Sequence, residues 1–257
     1  MATPTTPGVF INAEGKKTFV PLENNPEVFT DLIKRLGVSS DIGFYDVYSI
    51  DDPGLLSMVP RPVHALIFIS PGNVYWSVRK VHDGYDGQTR TLTYDASGED
   101  EPVMWFRQTI GNACGLYSLI HAVGNGSSKD FITKDSLIDR LLKEAVPLKR
   151  VDRANVLYNS RELEEAHMAS AVQGDSRAPL AAEPLGHHFI TFTKGKDGHL
   201  YELEGGWNPI DRGELKESED MLSERAIELG VKKYVDLAEG NLEFSIVALA
   251  TRSEGDD

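Results

Sequence analysis

A chain of 257 residues, 40% apolar and 26% charged, holds enough material for one globular domain with a sizeable core. Its formal net charge of −14 speaks against a nucleic-acid-binding surface, which needs basic charge, and suits solubility or a basic partner. No apolar run reaches the roughly 20 residues of a membrane span, and the single cysteine, Cys114, leaves no internal disulfide to form.

The first residues, Met1 to Pro7, lack the basic and apolar regions of a signal peptide, so an intracellular, cytoplasmic protein is expected. Lys16-Lys17 and Lys232-Lys233 are too short to act as a nuclear signal, and nuclear placement stays open. Asn25 and Pro26 open a helix as N-cap and first helical residue; Val28, Phe29, Leu32, Ile33 and Leu36 form its buried face and Gly37 ends it. Phe44–Ile50, His64–Ser70 and the alternating Tyr75–Val81 read as strands. Residues 83–101 read as a surface loop with a short strand around Arg90–Tyr94.

A helix is expected to begin at Cys114, with Leu116, Leu119, Ile120 and Val123 on its apolar stripe. Residues from about 130 to 172 read as helical, with one stripe of Leu137, Ile138, Leu141, Leu142 and Ala145 broken at Pro147. Gln173–Pro184 has loop composition. Two strands, Phe189–Thr193 and His199–Leu203, precede a helix over Glu219–Leu229, a last strand over Phe244–Ala250 and an acidic tail, Ser253–Asp257. No linker divides residues 1–257, so a single domain is expected. Helices and strands mix without strict alternation, which predicts an α+β fold.

Cys114 at a helix start feels the positive end of the helix dipole and unpaired backbone N–H groups, conditions that lower a thiol pKa. A hydrolytic thiol also needs a histidine, a group that orients it, and donors for an oxyanion. Of the seven histidines, His121 lies seven residues along the same helix, about 10 Å away. His64 enters a core strand, while His82 and His199 sit at strand or turn ends without a special setting. His187 and His188 start the strand that leads into the turn Lys194–Gly198. A hairpin centred near Lys196 sets His188 opposite Glu204; a tight turn on Asp197-Gly198 sets it opposite Trp207. His187 and His188 point to opposite strand faces and no further Cys/His cluster exists, so neither a metal nor an organic cofactor is expected.

These residues fall within several separated motifs: Pro21–Glu27, Leu55–Val63, Gln108–Gly115 with Leu119–Ala122, His188–Ile190, and Gly198–Leu203. In that order the chain resembles the ubiquitin C-terminal hydrolases, a family of papain-like thiol hydrolases. The resemblance implies a central antiparallel sheet flanked by helices, with a knotted topology. It implies that Cys114 is the nucleophile, His188 the general base and acid, and Gln108 an oxyanion donor beside the backbone N–H of Cys114. Glu204 stands where the family has aspartate, and the extra methylene moves the carboxylate by about 1.5 Å. Glu204 is the expected orienting group, with Glu202 and Asn208 as alternatives. Residues 161–186 match the family's active-site crossover loop, which implies small or unstructured leaving groups. The implied partner is ubiquitin or a related ubiquitin-like modifier, bound by a monomer, with no nucleic acid or membrane involved. A second reading from the Glu204 departure is a ubiquitin-binding protein with weakened catalysis.

Overall fold

The computed structural model describes residues 6–87, 91–174 and 186–253. In chain order the elements are β1 (Phe10–Ile11), β2 (Lys17–Thr18), α1 (Pro26–Leu36), β3 (Ile42–Asp46), α2 (Pro53–Leu56), β4 (Val63–Pro71), α3 (Gly72–His82) and α4 (Cys114–Val123). They continue as α5 (Leu137–Ala145), α6 (Arg150–Asn159), α7 (Arg161–Ala171), β5 (His187–Lys194), β6 (His199–Leu203), β7 (Ile210–Glu214), α8 (Glu224–Leu229), α9 (Lys232–Asp236) and β8 (Ser245–Thr251).

Six strands form one antiparallel sheet in the order β3-β8-β4-β5-β6-β7. The central strand β4 shows why the core has two layers. Ala65 and Ile67 pack with α1, α4 and α5 on one face; Leu66 and Phe68 pack with α3, α8 and α9 on the other. A strand covered on both faces reads as continuous apolar sequence, as Ala65–Ile69 does.

Local chemistry accounts for the helix starts. The Asn25 side chain accepts the Glu27 N–H at the start of α1, and Gly37 closes that helix in the left-handed region at φ 95°. Ser136, Ser160 and Ser223 cap α5, α7 and α8 by accepting first-turn N–H groups. The Ser223 cap sets the start of α8, so Glu219–Ser223 is turn and not the first part of a helix.

Three sequence expectations fail for physical reasons. Tyr75–Val81 is helical: Pro71 ends β4, and Val74, Tyr75, Val78 and Arg79 are buried at helical spacing, a pattern that their apolar-polar alternation masked. Tyr48–Ile50 leave the sheet because the Ser49 hydroxyl captures the N–H groups of Asp51 and Asp52, and Asp52 then caps α2. Residues 91–94 form no strand; Asn208 Oδ1 takes the N–H groups of Thr93 and Tyr94 at 2.9 and 3.0 Å. Arg90 and most of the loop expected over Gln173–Pro184 lie outside the described residues, as does the end of the acidic tail.

Candidate active site

Antiparallel pairing brings the start of β5 and the end of β6 to the same end of the sheet. The pairs Thr191↔Leu203, Phe192↔Glu202 and Thr193↔Tyr201 fix the register. Neither expected hairpin register is correct. The ladder ends at Thr191↔Leu203, and the chain turns away over residues 204–207, with the Trp207 N–H on the Glu204 carbonyl at 3.2 Å. From the first residue after β6, Glu204 places Oε1 3.8 Å from His188 Nδ1.

The Glu204 carboxylate is buried and held by neutral donors. Gly206 N–H donates to Oε2 at 3.0 Å and the Tyr75 hydroxyl at 3.3 Å, while Trp105 Nε1–H donates to the Glu204 backbone carbonyl at 2.9 Å. The 3.8 Å separation from His188 is an ionic approach, longer than a hydrogen bond. It directs His188 Nδ1 toward the carboxylate and frees Nε2 for another partner.

The two alternatives for this role are committed elsewhere. Buried Glu202 is bound by Arg79, by Arg212 Nε at 2.8 Å and by the Tyr234 hydroxyl at 2.5 Å. Burial alone would raise its carboxyl, but the charges of Arg79 and Arg212 bring it below its usual value. Asn208 is occupied with residues 91–94.

Cys114 is the first residue of α4, after an Ala113 N-cap that provides no side-chain acceptor. The first-turn N–H groups are therefore not taken by a capping side chain. Helix start and strand start are in close contact: a Cβ on Gly115 would lie 3.3 Å from Leu22 Cβ and 3.4 Å from the Phe189 ring. Thr191 on β5 also donates to the Ser118 carbonyl of α4 at 2.8 Å.

Opposed effects act on the Cys114 thiol. Burial pushes its pKa up to about 12; the N–H groups of Gly115 and Cys114 pull it down, and the charge of Glu204 pushes it up. Desolvation thus outweighs the helix terminus, contrary to the sequence expectation of a lowered value.

Gln108 is anchored by its backbone. Its N–H donates to the Gly205 carbonyl at 2.7 Å, and a Cβ on Gly205 would come within 2.6 Å of Gln108 Cβ. Only glycine fits at 205, immediately after Glu204. The Gln108 Nε2 donates to the Ile110 carbonyl at 3.0 Å, which leaves its second N–H available. From Gly111, backbone hydrogen bonds reach Lys17 and Phe19, tying the β1–β2 hairpin to this loop.

One cleft of about 300 Å³ is lined by Cys114, His188, Glu204 and Gln108, with Lys16, His187 and Gly206 among its other walls. The remaining histidines lie elsewhere or are spent. His121 accepts the Phe106 N–H at 3.0 Å, and burial lowers its pKa to about 3. His167 pairs with the Val20 carbonyl and is lowered to about 4 by burial. His64 sits between Ser127 and Thr251, and His199, the first residue of β6, pairs its Nδ1 with Asp211 of β7. Among the described residues, no group of three or more His, Cys, Asp or Glu side chains is placed to hold a metal ion.

A sequence model described as "Ubiquitin carboxyl-terminal hydrolase, family 1" matches residues 19–236. The chain belongs to the ubiquitin carboxyl-terminal hydrolase family. It is 35% identical over 243 residues to a probable ubiquitin carboxyl-terminal hydrolase of Dictyostelium discoideum, covering 93% of this chain and 90% of the relative. It is 32% identical over 243 residues to ubiquitin carboxyl-terminal hydrolase 3 of Arabidopsis thaliana, covering 94% of this chain and 97% of that one. The fold resembles the UCH37 catalytic domain of Trichinella spiralis, crystallised with ubiquitin vinyl methyl ester. That match has a TM-score of 0.66 at 20% identity and covers 91% of this chain and 95% of that one.

Within the family's α+β fold, this chain brings all four expected site residues to one cleft. Sequence reasoning missed the supports around them. Gly205 had a signal, since Gly205-Gly206 follows Glu204 directly. Tyr75 had none, because it stood in a segment read as a strand. The segment expected as a crossover loop, 161–186, begins with the helix α7, and its residues 175–185 lie outside the described residues.

Proposed function

We propose that this ubiquitin carboxyl-terminal hydrolase cleaves the bond after the terminal glycine of ubiquitin through an acyl-enzyme on Cys114. The single observation that carries the reading is the convergence of Cys114, His188, Gln108 and Glu204 on one cleft. With a substrate carbonyl in the cleft, His188 takes the Cys114 proton and the sulfur attacks the carbonyl carbon. The developing oxyanion meets the free Gln108 N–H and the N–H groups at the start of α4. His188 then gives its proton to the leaving group. Water, deprotonated by His188, attacks the thioester, releasing the ubiquitin carboxylate and the thiol. Transfer of the Cys114 proton leaves His188 as an imidazolium. Glu204 stabilises the imidazolium formed in that transfer.

The chain's net charge of −14 suits a ubiquitin tail that is basic. Residues 161–186, matched to the family's crossover loop by resemblance, are the ground for a preference for small or unstructured leaving groups. Efficient cleavage of folded diubiquitin would count against that preference. A second reading, binding with weakened catalysis, draws on the 3.8 Å separation of His188 and Glu204 and on the raised thiol.

A ubiquitin probe with a C-terminal electrophile separates the two readings. The enzyme reading expects covalent labelling that is lost in Cys114→Ala, and turnover of a ubiquitin C-terminal ester that falls about 10⁴-fold in His188→Ala. Stoichiometric probe binding without labelling establishes the second reading. No binding at all points to a related modifier.

A further inference from the structure

Tyr75 approaches the cleft from the layer opposite α4. Its ring lies parallel to the His188 imidazole, with centroids 3.8 Å apart and planes 6° apart. Its hydroxyl donates to Glu204 Oε2 at 3.3 Å. One side chain thus touches both members of the expected base and its orienting group. Burial, and then the charge of Glu204, push the phenol above its ordinary value, so the hydroxyl remains a donor.

Tyr75 is itself held from behind. The Arg79 guanidinium, one turn further along α3, lies 4.5 Å from the Tyr75 ring centroid. Arg79 is fixed by Asp83 at 2.8 Å and by Glu202. Trp76 packs its edge against His188, with centroids 5.7 Å apart. The charged and titratable groups around His188 are Glu204 beyond β6, Cys114 on α4, His187 beside it on β5, Lys16 across the cleft, and Arg79 behind Tyr75.

The distance between His188 and Glu204 explains the need for such a support. Glu204 lies across from His188 at 3.8 Å, beyond hydrogen-bond length, so their bond alone does not fix the ring plane. A stacked ring restricts imidazole rotation, and a hydroxyl on the carboxylate restricts Glu204. We propose that Tyr75 is a positioning residue for the hydrolysis: it locks the His188 ring by stacking and the Glu204 carboxylate by hydrogen bonding, so that imidazole and carboxylate meet when the thiol proton moves. This rests on the reading of Cys114 and His188 as the reacting pair.

Two variants separate the contacts. Tyr75→Phe keeps the stack and removes the hydroxyl; Tyr75→Leu removes both. With a ubiquitin C-terminal ester, kcat is expected to fall about 3-fold to 10-fold in Tyr75→Phe, the effect of one hydrogen bond. In Tyr75→Leu it is expected to fall by about 10-fold more as the aromatic contact is lost. KM stays within about 2-fold in both, because Tyr75 acts on the proton transfer and not on substrate binding. In a Glu204→Ala background, Tyr75→Phe is expected to change kcat by less than about 2-fold, because the hydroxyl acts through that carboxylate.

The chain's only cysteine supplies a readout that needs no ubiquitin. The rate of Cys114 alkylation by iodoacetamide is expected to fall in the same order as kcat. Should the wild type turn over no ubiquitin ester, the function proposed above fails, while the alkylation series still decides the role of Tyr75. Unchanged kcat and alkylation in folded Tyr75→Phe and Tyr75→Leu overturn the proposal. So does a Tyr75→Phe effect of equal size with and without Glu204. If Tyr75→Leu does not fold, Tyr75→Phe and the double variant decide alone.

Discussion

Glu202 and Glu204 lie two residues apart at the end of β6, both buried, and they serve opposite purposes. Glu202 is saturated by charge: two guanidinium groups, Arg79 and Arg212, and the Tyr234 hydroxyl surround it. Asp83 binds the same two arginines, closing a neutral cluster of two cations and two anions. Among the described residues, Glu204 receives a backbone N–H and a phenol on Oε2, and its Oε1 faces His188. A carboxylate surrounded by cations has its charge cancelled at home. One held by neutral donors keeps that charge for an imidazolium. The difference lies in the neighbours that each position meets, since the residue type is the same.

The largest expected contrast comes from Glu202→Gln. It leaves Arg79 and Arg212 buried with Asp83 as their remaining carboxylate among these groups. Breaking one side of a buried ion pair costs about 3–5 kcal/mol, which denaturant unfolding would show as a lower midpoint. The folded fraction at low temperature is expected to keep most of its activity per molecule. A stability loss under about 1 kcal/mol would show that Glu202 is not the hub of the cluster.

A pH experiment sharpens the same division between residues that carry stability and those that carry chemistry. His121 and His167 are buried and lowered to about 3 and about 4, against an unfolded value of 6.5. Below pH 6.5 the unfolded chain binds protons that the folded chain refuses. Stability therefore falls with decreasing pH from 6.5 toward 4, and is fully present above 6.5. The expected loss between pH 7 and pH 5 is about 2–4 kcal/mol for the two together. Equal unfolding midpoints at pH 7 and pH 5 would remove these histidines from the acid response.

The legible part of this molecule is the part written in local patterns. The stripe from Leu116 to Val123 placed α4, and Asn25 and Gly37 placed the ends of α1, because caps and periodicity act within a few residues. The positions of Cys114, Gln108 and His188 were legible through motifs. What stayed hidden depends on long-range packing. Helix α3 was masked because Tyr75–Val81 alternates and is also helical in period, and only the layer it packs in decides between them. The hairpin register was missed because the turn residues 195–198 allow more than one pairing, and Gly195 N–H to His199 carbonyl selects one. The pKa of Cys114 was misjudged for the same reason: desolvation belongs to the folded surroundings and has no sequence signal.

The smallest expected effect decides most about Glu204. The family resemblance implies aspartate at this position, so Glu204→Asp tests whether length or charge matters here. The shorter side chain retracts the carboxylate by about 1.5 Å. Two of its present contacts, Gly206 N–H at 3.0 Å and the Tyr75 hydroxyl at 3.3 Å, hold Oε2, while Oε1 already stands 3.8 Å from His188. Aspartate cannot keep both ends unless β6 shifts, and Gly205 packed on Gln108 opposes such a shift. The expected result is a kcat about 3-fold to 10-fold lower with unchanged KM, the effect of one weakened hydrogen bond. Glu204→Gln keeps the length and loses the charge, and is expected to lose more than Glu204→Asp. If aspartate instead raises kcat, the glutamate is a weakened form of the residue that the family resemblance implies, and its extra length is a constraint that this chain tolerates. If glutamine matches the wild type, the carboxylate does not stabilise the imidazolium, and the orienting role passes from Glu204 to the stacked Tyr75.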